Sequence, residues 1–204
     1  MSVVLRNTIV DWDKVRGPIF MCLGPGPGAQ DWELDCYRLL EAHYGNDFLL
    51  HITRKYADDH PLMAYRTPTV ETIDGRSLEQ ETDAKRYYIA QAGWSNRLPR
   101  GCIICWLPLE DPKHPCLEEE GPYAHEARDL IGEIRGRMIE LSKERRGHVR
   151  FVIGADENFP GLASIRRNFE RAERIPRITI YSTLEKTVEA AVAMTTPIRV
   201  AASA

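Results

Sequence analysis

Residues 101–107, GCIICWL, are the most apolar run in this sequence, and they lie between Arg100 and Pro108. An unbroken apolar run of this length is typical of a strand that is buried on both faces, as the central strands of parallel sheets are. The run includes Cys102 and Cys105, which have the spacing of a CxxC metal motif. Side chains three positions apart in a strand point to opposite faces, so we expect reduced, buried thiols and no metal here.

Strand-like and helix-like segments alternate on both sides of this run. Further short apolar runs lie at residues 18–23, 48–52, 149–153 and 178–181, and each predicts a strand. Amphipathic, helix-like spacing covers residues 31–44, 85–98, 123–146, 162–171 and 184–194. Strands separated by helices favour a parallel sheet that is covered on both faces, so the pattern predicts an α/β domain with about five strands.

The composition describes one ordinary globular domain. The chain has 204 residues, of which 43% are hydrophobic and 28% are charged, and its net charge is -3. We expect a single α/β domain over residues 1–204, with its core at about residues 17–194 and a frayed Ala-rich tail at 197–204. No run approaches the roughly 18 apolar residues that span a bilayer, and no signal-peptide pattern opens the sequence. These features favour a soluble cytoplasmic protein without a membrane partner.

The charge balance bears on the kind of partner. A pI near 6.1 lacks the basic excess of a protein that binds phosphate backbones, so no nucleic acid polymer is expected. In a parallel sheet, a ligand lies beyond the carboxyl ends of the strands. We therefore expect a small-molecule partner, bound by the loops that follow the strands at residues 24–30, 53–56, 108–111, 155–161 and beyond 181.

The first of these loops, residues 24–31, reads GPGPGAQD. Gly24, Gly26 and Gly28 would let a ligand approach the backbone, and the helix N-terminus after Asp31 offers free N–H groups to an anion or a sugar hydroxyl. A tight turn with Asp31 as the helix N-cap explains the same residues equally well.

Other polar and aromatic residues are predicted near the same edge of the sheet. Arg54 ends a strand, where it either holds a phosphate or carboxylate or is simply solvated. An amide and two indoles are predicted near the ligand at this edge, from Gln91, Trp94 and Trp106. Indole faces stack on nucleobases, although most tryptophans belong to the core. Glu110 follows the central strand directly.

The densest group of candidate residues opens the long helix at residues 123–133, YAHEARDLIGE. Helical spacing puts Glu126 and Leu130 near one face, with Asp129 between them. A carboxylate one turn into a helix beside the cleft is well placed as a nucleophile or a general acid, although acids there also complement the helix dipole. Gly132 is unfavourable in the middle of a helix, which suggests close packing or close approach.

Several short segments between residues 17 and 170 occur in a characteristic order. They are Pro18-Ile-Phe-Met21, Gly24-Pro25, Asp31-Trp32, Thr53-Arg54-Lys55, Gln91-Ala-Gly-Trp94, Cys105-Trp-Leu-Pro108-Leu-Glu110, residues 123–133, Glu157-Asn-Phe-Pro-Gly161 and Ile165-Arg-Arg167. In this order they resemble the nucleoside 2-deoxyribosyltransferase-like superfamily. The resemblance implies a flavodoxin-like three-layer fold and a homo-oligomer. It also implies a glycosidase or deoxyribosyltransferase that cleaves or transfers the N-glycosidic bond of nucleosides or nucleoside monophosphates without a cofactor.

The resemblance also implies roles for individual residues. In the family, a glutamate on a helix attacks the anomeric carbon while another group protonates the departing base. Leu130 stands where that glutamate is expected, so Glu126 and Asp129 are the candidate substitutes, with Glu110 assisting. The implied substrate-binding residues are Gly24, Gly26, Gly28, Asp31, Arg54, Gln91, Trp94, Trp106, Tyr123 and Arg128.

Two other functions stay open at this point. Leucine cannot act as a nucleophile, so Leu130 also fits a non-catalytic nucleotide-binding or sensor module. The long polar stretch at residues 55–81 fits a protein that docks a partner through this loop.

Overall fold

A computed structural model of the chain describes residues 3–6, 17–26, 28–45, 47–52, 54, 56, 59–65, 101–118, 121–144, 150–171 and 177–195. These residues contain a six-stranded sheet in which all neighbouring strands are parallel. Its strands are β1 (Val3–Arg6), β2 (Ile19–Leu23), β3 (Leu49–Ile52), β4 (Gly101–Leu107), β5 (Phe151–Ala155) and β6 (Ile180–Tyr181), in the order β1-β3-β2-β4-β5-β6. The predicted parallel α/β sheet is confirmed, and β1 adds an edge strand that the sequence pattern did not predict.

The helices of the described residues follow the strands as expected. They are α1 (Glu33–Tyr44), α2 (His125–Glu144), α3 (Leu162–Glu170) and α4 (Leu184–Thr195), with a short 3-10 helix at Pro61–Tyr65. Within this part of the chain, none of the helices has the length and apolar character needed to cross a membrane. Some predictions lie outside the described residues: the helix at 85–98 with Gln91 and Trp94, most of the loop at 55–81, and the tail at 197–204.

Alternate side chains of each strand face opposite layers of helices. In β2, Ile19, Met21 and Leu23 pack with α2 and α3, whereas Phe20 and Cys22 pack with α1 and α4. From β2 onward, the order of the strands is the 2-1-3-4-5 order of flavodoxin-like sheets. The predicted three-layer, flavodoxin-like architecture is therefore confirmed.

The central strand β4 shows why its two cysteines do not form a metal site. Cys102 belongs to the core between the sheet and the α1/α4 layer, and Cys105 belongs to the core on the opposite face. Burial raises the pKa of the Cys102 thiol to about 12 and raises that of Cys105 as well. Both thiols are consequently neutral at physiological pH, and the predicted orientation of the CxxC pair is confirmed.

The structure corrects one expectation about α2. Gly132 is exposed, and among the described residues no atom lies within 4 Å of the position that a Cβ would take. The suggestion of close packing at Gly132 is therefore wrong, because no neighbouring element of the described residues approaches its Cα.

Candidate functional site

The loops after β2 and β4 meet at the carboxyl edge of the sheet. The backbone N–H of Gln30 donates to the carbonyl oxygen of Leu109 at 3.2 Å, and that of Asp111 donates to the carbonyl oxygen of Gly28 at 2.7 Å. The helices that follow β2 and β4 cover opposite faces of the sheet, so this is the switch point at which α/β sheets bind ligands. The candidate site is therefore built on two loops that hold each other in place.

The three glycines of the first loop have different surroundings. A Cβ on Gly24 would lie 2.7 Å from the carbonyl oxygen of Trp106, and a Cβ on Gly28 would lie 2.5 Å from the backbone nitrogen of Cys116. Gly28 also has a positive φ of 72°, which other residues rarely adopt. Gly26 has no described atom within 4 Å of its Cβ position. Of the three predicted ligand contacts, Gly26 is the one that no described residue crowds.

Gly28→Ala is expected to destabilise the protein by about 1–3 kcal/mol, because the new methyl group meets the backbone at Cys116 and the positive φ becomes strained. Gly26→Ala is the matched control, and it is expected to change the free energy of unfolding by less than about 1 kcal/mol. Chemical denaturation of both variants measures the difference. Equal destabilisation by the two substitutions would contradict the packing role of Gly28.

Asp31 does not cap α1. The N-cap residue is Trp32, and no side chain makes a capping hydrogen bond there. The carboxylate of Asp31 instead lies 2.9 Å from the Tyr56 hydroxyl through Oδ1 and 2.6 Å from His60 Nε2 through Oδ2. The N-cap interpretation of Asp31 is thus wrong, and its exposed carboxylate is fixed by side chains that follow β3.

Glu33, in the first turn of α1, is a site residue that sequence reasoning missed. It is only 3% exposed, and its Oε2 lies 2.5 Å from the Tyr56 hydroxyl and 3.8 Å from Arg54 Nη1. Burial raises the pKa of Glu33 to about 7, although the Tyr56 hydrogen bond and the Arg54 charge act in the opposite direction. The sequence contained one indication of this burial. Glu33 precedes Cys36 by three positions and Leu40 by seven, and this helical spacing puts it on the buried face of α1.

Arg54 ties these residues to the glycine-rich loop. Its Nη2 donates to the carbonyl oxygen of Ala29 at 2.9 Å, and its Nη1 donates to that of Gln30 at 3.3 Å. Its guanidinium carbon also lies 5.2 Å from the centre of the Tyr56 ring. Arg54 therefore holds the end of the loop in place. We call Asp31, Glu33, Arg54, Tyr56 and His60 the polar cluster.

Tyr123 and Glu110 lie near the polar cluster. The Tyr123 hydroxyl donates to the carbonyl oxygen of Pro108 at 2.8 Å, and Oε1 of the exposed Glu110 accepts from the backbone N–H of Cys116 at 2.8 Å. Burial raises the pKa of Tyr123, the negative charge of Glu110 adds to this, and the positive charge of Arg54 opposes it. The structure thus brings predicted residues from three loops within electrostatic range of one another.

The two carboxylates predicted on α2 have a different environment. Glu126 and Asp129 are both exposed, whereas Ala127 and Ile131 are buried against the sheet. Asp129 is two residues from Ala127, about 200° around the helix, which turns it away from the sheet. Leu130 is partly buried and packs against the core of this face.

Arg128 connects α2 to the loop after β5. Its Nη2 donates to the carbonyl oxygen of Pro160 at 2.7 Å, and its guanidinium carbon lies 5.8 Å from the centre of the Phe159 ring. Like Arg54, this predicted ligand-binding arginine is engaged with the protein's own backbone.

Trp106 lies on the face of the sheet opposite to α2. Its indole packs with the α1/α4 core and borders a cleft of about 500 Å³. The other residues that line this cleft are Asp35, Arg38, Leu39, Ser182, Thr183, Leu184 and Glu185. The sheet therefore separates the predicted base-stacking residue from the helix that carries Glu126.

Comparison of the chain with protein-family models, with curated proteins and with solved structures found no match. The family resemblance consequently stays a prediction. The fold and the polar cluster are the observations on which a functional proposal can be based.

Proposed function

We propose that this protein cleaves or transfers the N-glycosidic bond of nucleosides at the carboxyl edge of its sheet. The observation that carries the proposal is the exposed carboxylate of Asp31, held by Tyr56 and His60 at the switch point of the sheet. Cleavage of a glycosidic bond requires a fixed carboxyl group beside the sugar and an acid that protonates the departing base. Asp31 suits the role of the acid, and the side of Gly26 that the described residues leave open would accept the sugar.

The surroundings of the arginines support a nucleoside over its monophosphate. The guanidinium groups of Arg54 and Arg128 both donate to backbone carbonyl oxygens, so a phosphate would have to compete with these contacts. In this proposal Glu126, in the first turn of α2, supplies the carboxylate that meets the anomeric carbon. Glu110 assists it. A homo-oligomeric cytoplasmic enzyme without a cofactor is part of the same proposal, which the sequence resemblance supports.

The test is an assay for free base released from a panel of nucleosides and their 5′-monophosphates. We expect release from nucleosides, and we expect Asp31→Asn to lower the rate on the order of 100-fold, the usual contribution of a general acid. Glu126→Gln tests the carboxylate that meets the anomeric carbon. Glu189→Gln, on the exposed face of α4, is the matched control. Absence of base release by the wild-type protein would overturn the proposal, and unchanged release by Asp31→Asn would overturn the role of Asp31.

A non-catalytic nucleotide-binding module is the second candidate. The packing of Leu130 against the core and the outward position of Asp129 favour it, because neither residue presents a nucleophile to the sheet edge. Calorimetry separates the two functions, since a binding module gives saturable heat with nucleosides or nucleotides and no free base.

A further inference from the structure

The hydroxyl of Tyr56 lies between two carboxyl groups. Its oxygen is 2.9 Å from Oδ1 of Asp31 and 2.5 Å from Oε2 of Glu33. A phenol has a single proton, so it can donate to only one of these oxygens. The other contact is a hydrogen bond only if that carboxyl group carries a proton and donates it to the phenol oxygen. When both contacts are hydrogen bonds, one of the two acids carries a proton.

Burial decides which acid carries the proton. Glu33 is 3% exposed, whereas the side chain of Asp31 is 36% exposed, and an ionised carboxylate is much less stable in the buried position. The side chains that act on Glu33 are Tyr56 and Arg54 from the segment after β3 and Asp31, two residues before it. The buried Cys22 thiol of β2 lies close enough for the Glu33 charge to raise its pKa. Arg54 favours the ionised form of Glu33, but desolvation is the larger effect.

The histidine on the other side of Asp31 has a defined tautomer. The backbone N–H of Leu62 donates to His60 Nδ1 at 3.2 Å, so Nδ1 carries no proton and the proton of the neutral ring is on Nε2. Nε2 then donates to Asp31 at 2.6 Å. Asp31 accepts from both His60 and Tyr56, which is the environment of an ionised carboxylate. Stacking of His60 on Tyr56, with ring centres 4.0 Å apart, holds the two donors in place.

We infer that Glu33, Tyr56 and Asp31 form a proton relay, in which buried Glu33 stores a proton that Asp31 delivers at the surface of the site. In the transfer step, the carboxyl proton of Glu33 moves to the phenol oxygen while the phenol proton moves to Asp31. Tyr56 ends as a neutral phenol, Glu33 becomes a carboxylate beside Arg54, and Asp31 becomes a neutral acid. The step conserves charge and needs no co-reactant.

The relay deepens the proposed function and rests on it for its biological role, because the neutral Asp31 would be the acid that protonates the departing base. Glu33 and Tyr56 are positioning residues in this scheme, since they act through Asp31. The hydrogen-bonded arrangement itself does not depend on the identity of the ligand, so it is tested separately from activity.

Carbon NMR of the full chain, with 13C-labelled carboxyl groups, is the direct test. The relay predicts that Glu33 is protonated between about pH 5 and 6, and that the Asp31 carboxyl signal shifts over the same pH range in which Glu33 titrates. In Tyr56→Phe, the change in the Asp31 carboxyl signal that accompanies the titration of Glu33 is expected to become much smaller. Tyr44→Phe, which removes a phenol bonded to Thr195 elsewhere, is the matched control and is expected to leave the response intact.

Two results would overturn the relay: an ionised Glu33 between about pH 5 and 6, or an unchanged response of Asp31 in Tyr56→Phe. If Tyr56→Phe does not fold, Glu33→Gln serves the same purpose, since its amide can donate to the phenol but cannot release a proton. With an active nucleoside substrate, Tyr56→Phe is expected to lower kcat on the order of 100-fold with little change in KM. If no nucleoside is cleaved, the proposed function fails while the NMR result still decides the relay.

Discussion

Between pH 4.5 and pH 8, the free energy of unfolding of the wild-type protein is expected to fall by roughly 3 kcal/mol relative to that of Glu33→Gln. The pKa of Glu33 rises from 4.5 in the unfolded chain to about 7 in the folded state, because burial penalises its charged form. The folded state consequently binds the proton more tightly. This contribution is fully present below pH 4.5 and is lost as the pH rises through about 7. Each pH unit between the two values corresponds to about 1.4 kcal/mol.

Urea denaturation of both proteins across this pH range measures the effect. The difference between them removes the contributions of all other titrating groups, which are common to both. Glu189→Gln, at an exposed position of α4, is the control and is expected to follow the wild-type curve. A difference between wild type and Glu33→Gln that is constant with pH would show that Glu33 is ionised in the folded protein, against its burial in the structure.

Gly154→Ala is expected to destabilise the protein by about 3 kcal/mol, at the upper end of the usual cost of overpacking. Gly154 lies in β5, and a Cβ there would overlap the hydroxyl oxygen of the buried Thr187 on α4 and would lie 2.8 Å from two ring carbons of Trp106. The Trp106 indole can lie over β5 only because this position has no side chain. The substitution therefore forces α4 or the indole away from the sheet.

Gly132→Ala is the matched control, because the same change at an exposed helical position is expected to raise the free energy of unfolding by about 0.5–1 kcal/mol. Thermal or urea unfolding measures both variants. Removal of the Thr187 hydroxyl in Gly154→Ala/Thr187→Ala is expected to cost less than the sum of the single changes, since it relieves part of the overlap. Additive costs, or equal effects at the two glycines, would contradict the overlap.

The secondary structure and the layers of the fold were predictable because they depend on local periodicity. An alternating pattern places Cys102 and Cys105 on opposite faces of β4, and the structure confirms this. Edge strand β1 was missed because Val3–Arg6 is a short isolated run that becomes a strand only by pairing with β3. The close packing expected at Gly132 was wrong because the propensity penalty of a glycine does not reveal what surrounds it.

The candidate site was predictable only in part. The rule that ligands bind at the carboxyl ends of parallel strands correctly placed Asp31 and Arg54 at one edge. It did not indicate that Arg54 would donate to the carbonyl oxygens of Ala29 and Gln30. Nor did it indicate that Glu33 would be the buried acid. The contacts of a long side chain depend on its neighbours in space, which sequence spacing does not specify.

The sequence by itself determined the parallel α/β sheet, its two layers of helices and the edge at which polar loops collect. The reason is that apolar side chains must recur at a fixed spacing to be buried on one face of a strand or helix, and that spacing is visible within each short segment. Only the tertiary structure decided which polar groups meet there. Adjacent strands β2 and β3 bring Glu33 and Asp31 to Tyr56 and His60, although they are more than twenty positions apart in the chain. The raised pKa of Glu33 likewise depends on the assembled site, because the burial that raises it and the contacts with Tyr56 and Arg54 that lower it exist only in the folded protein.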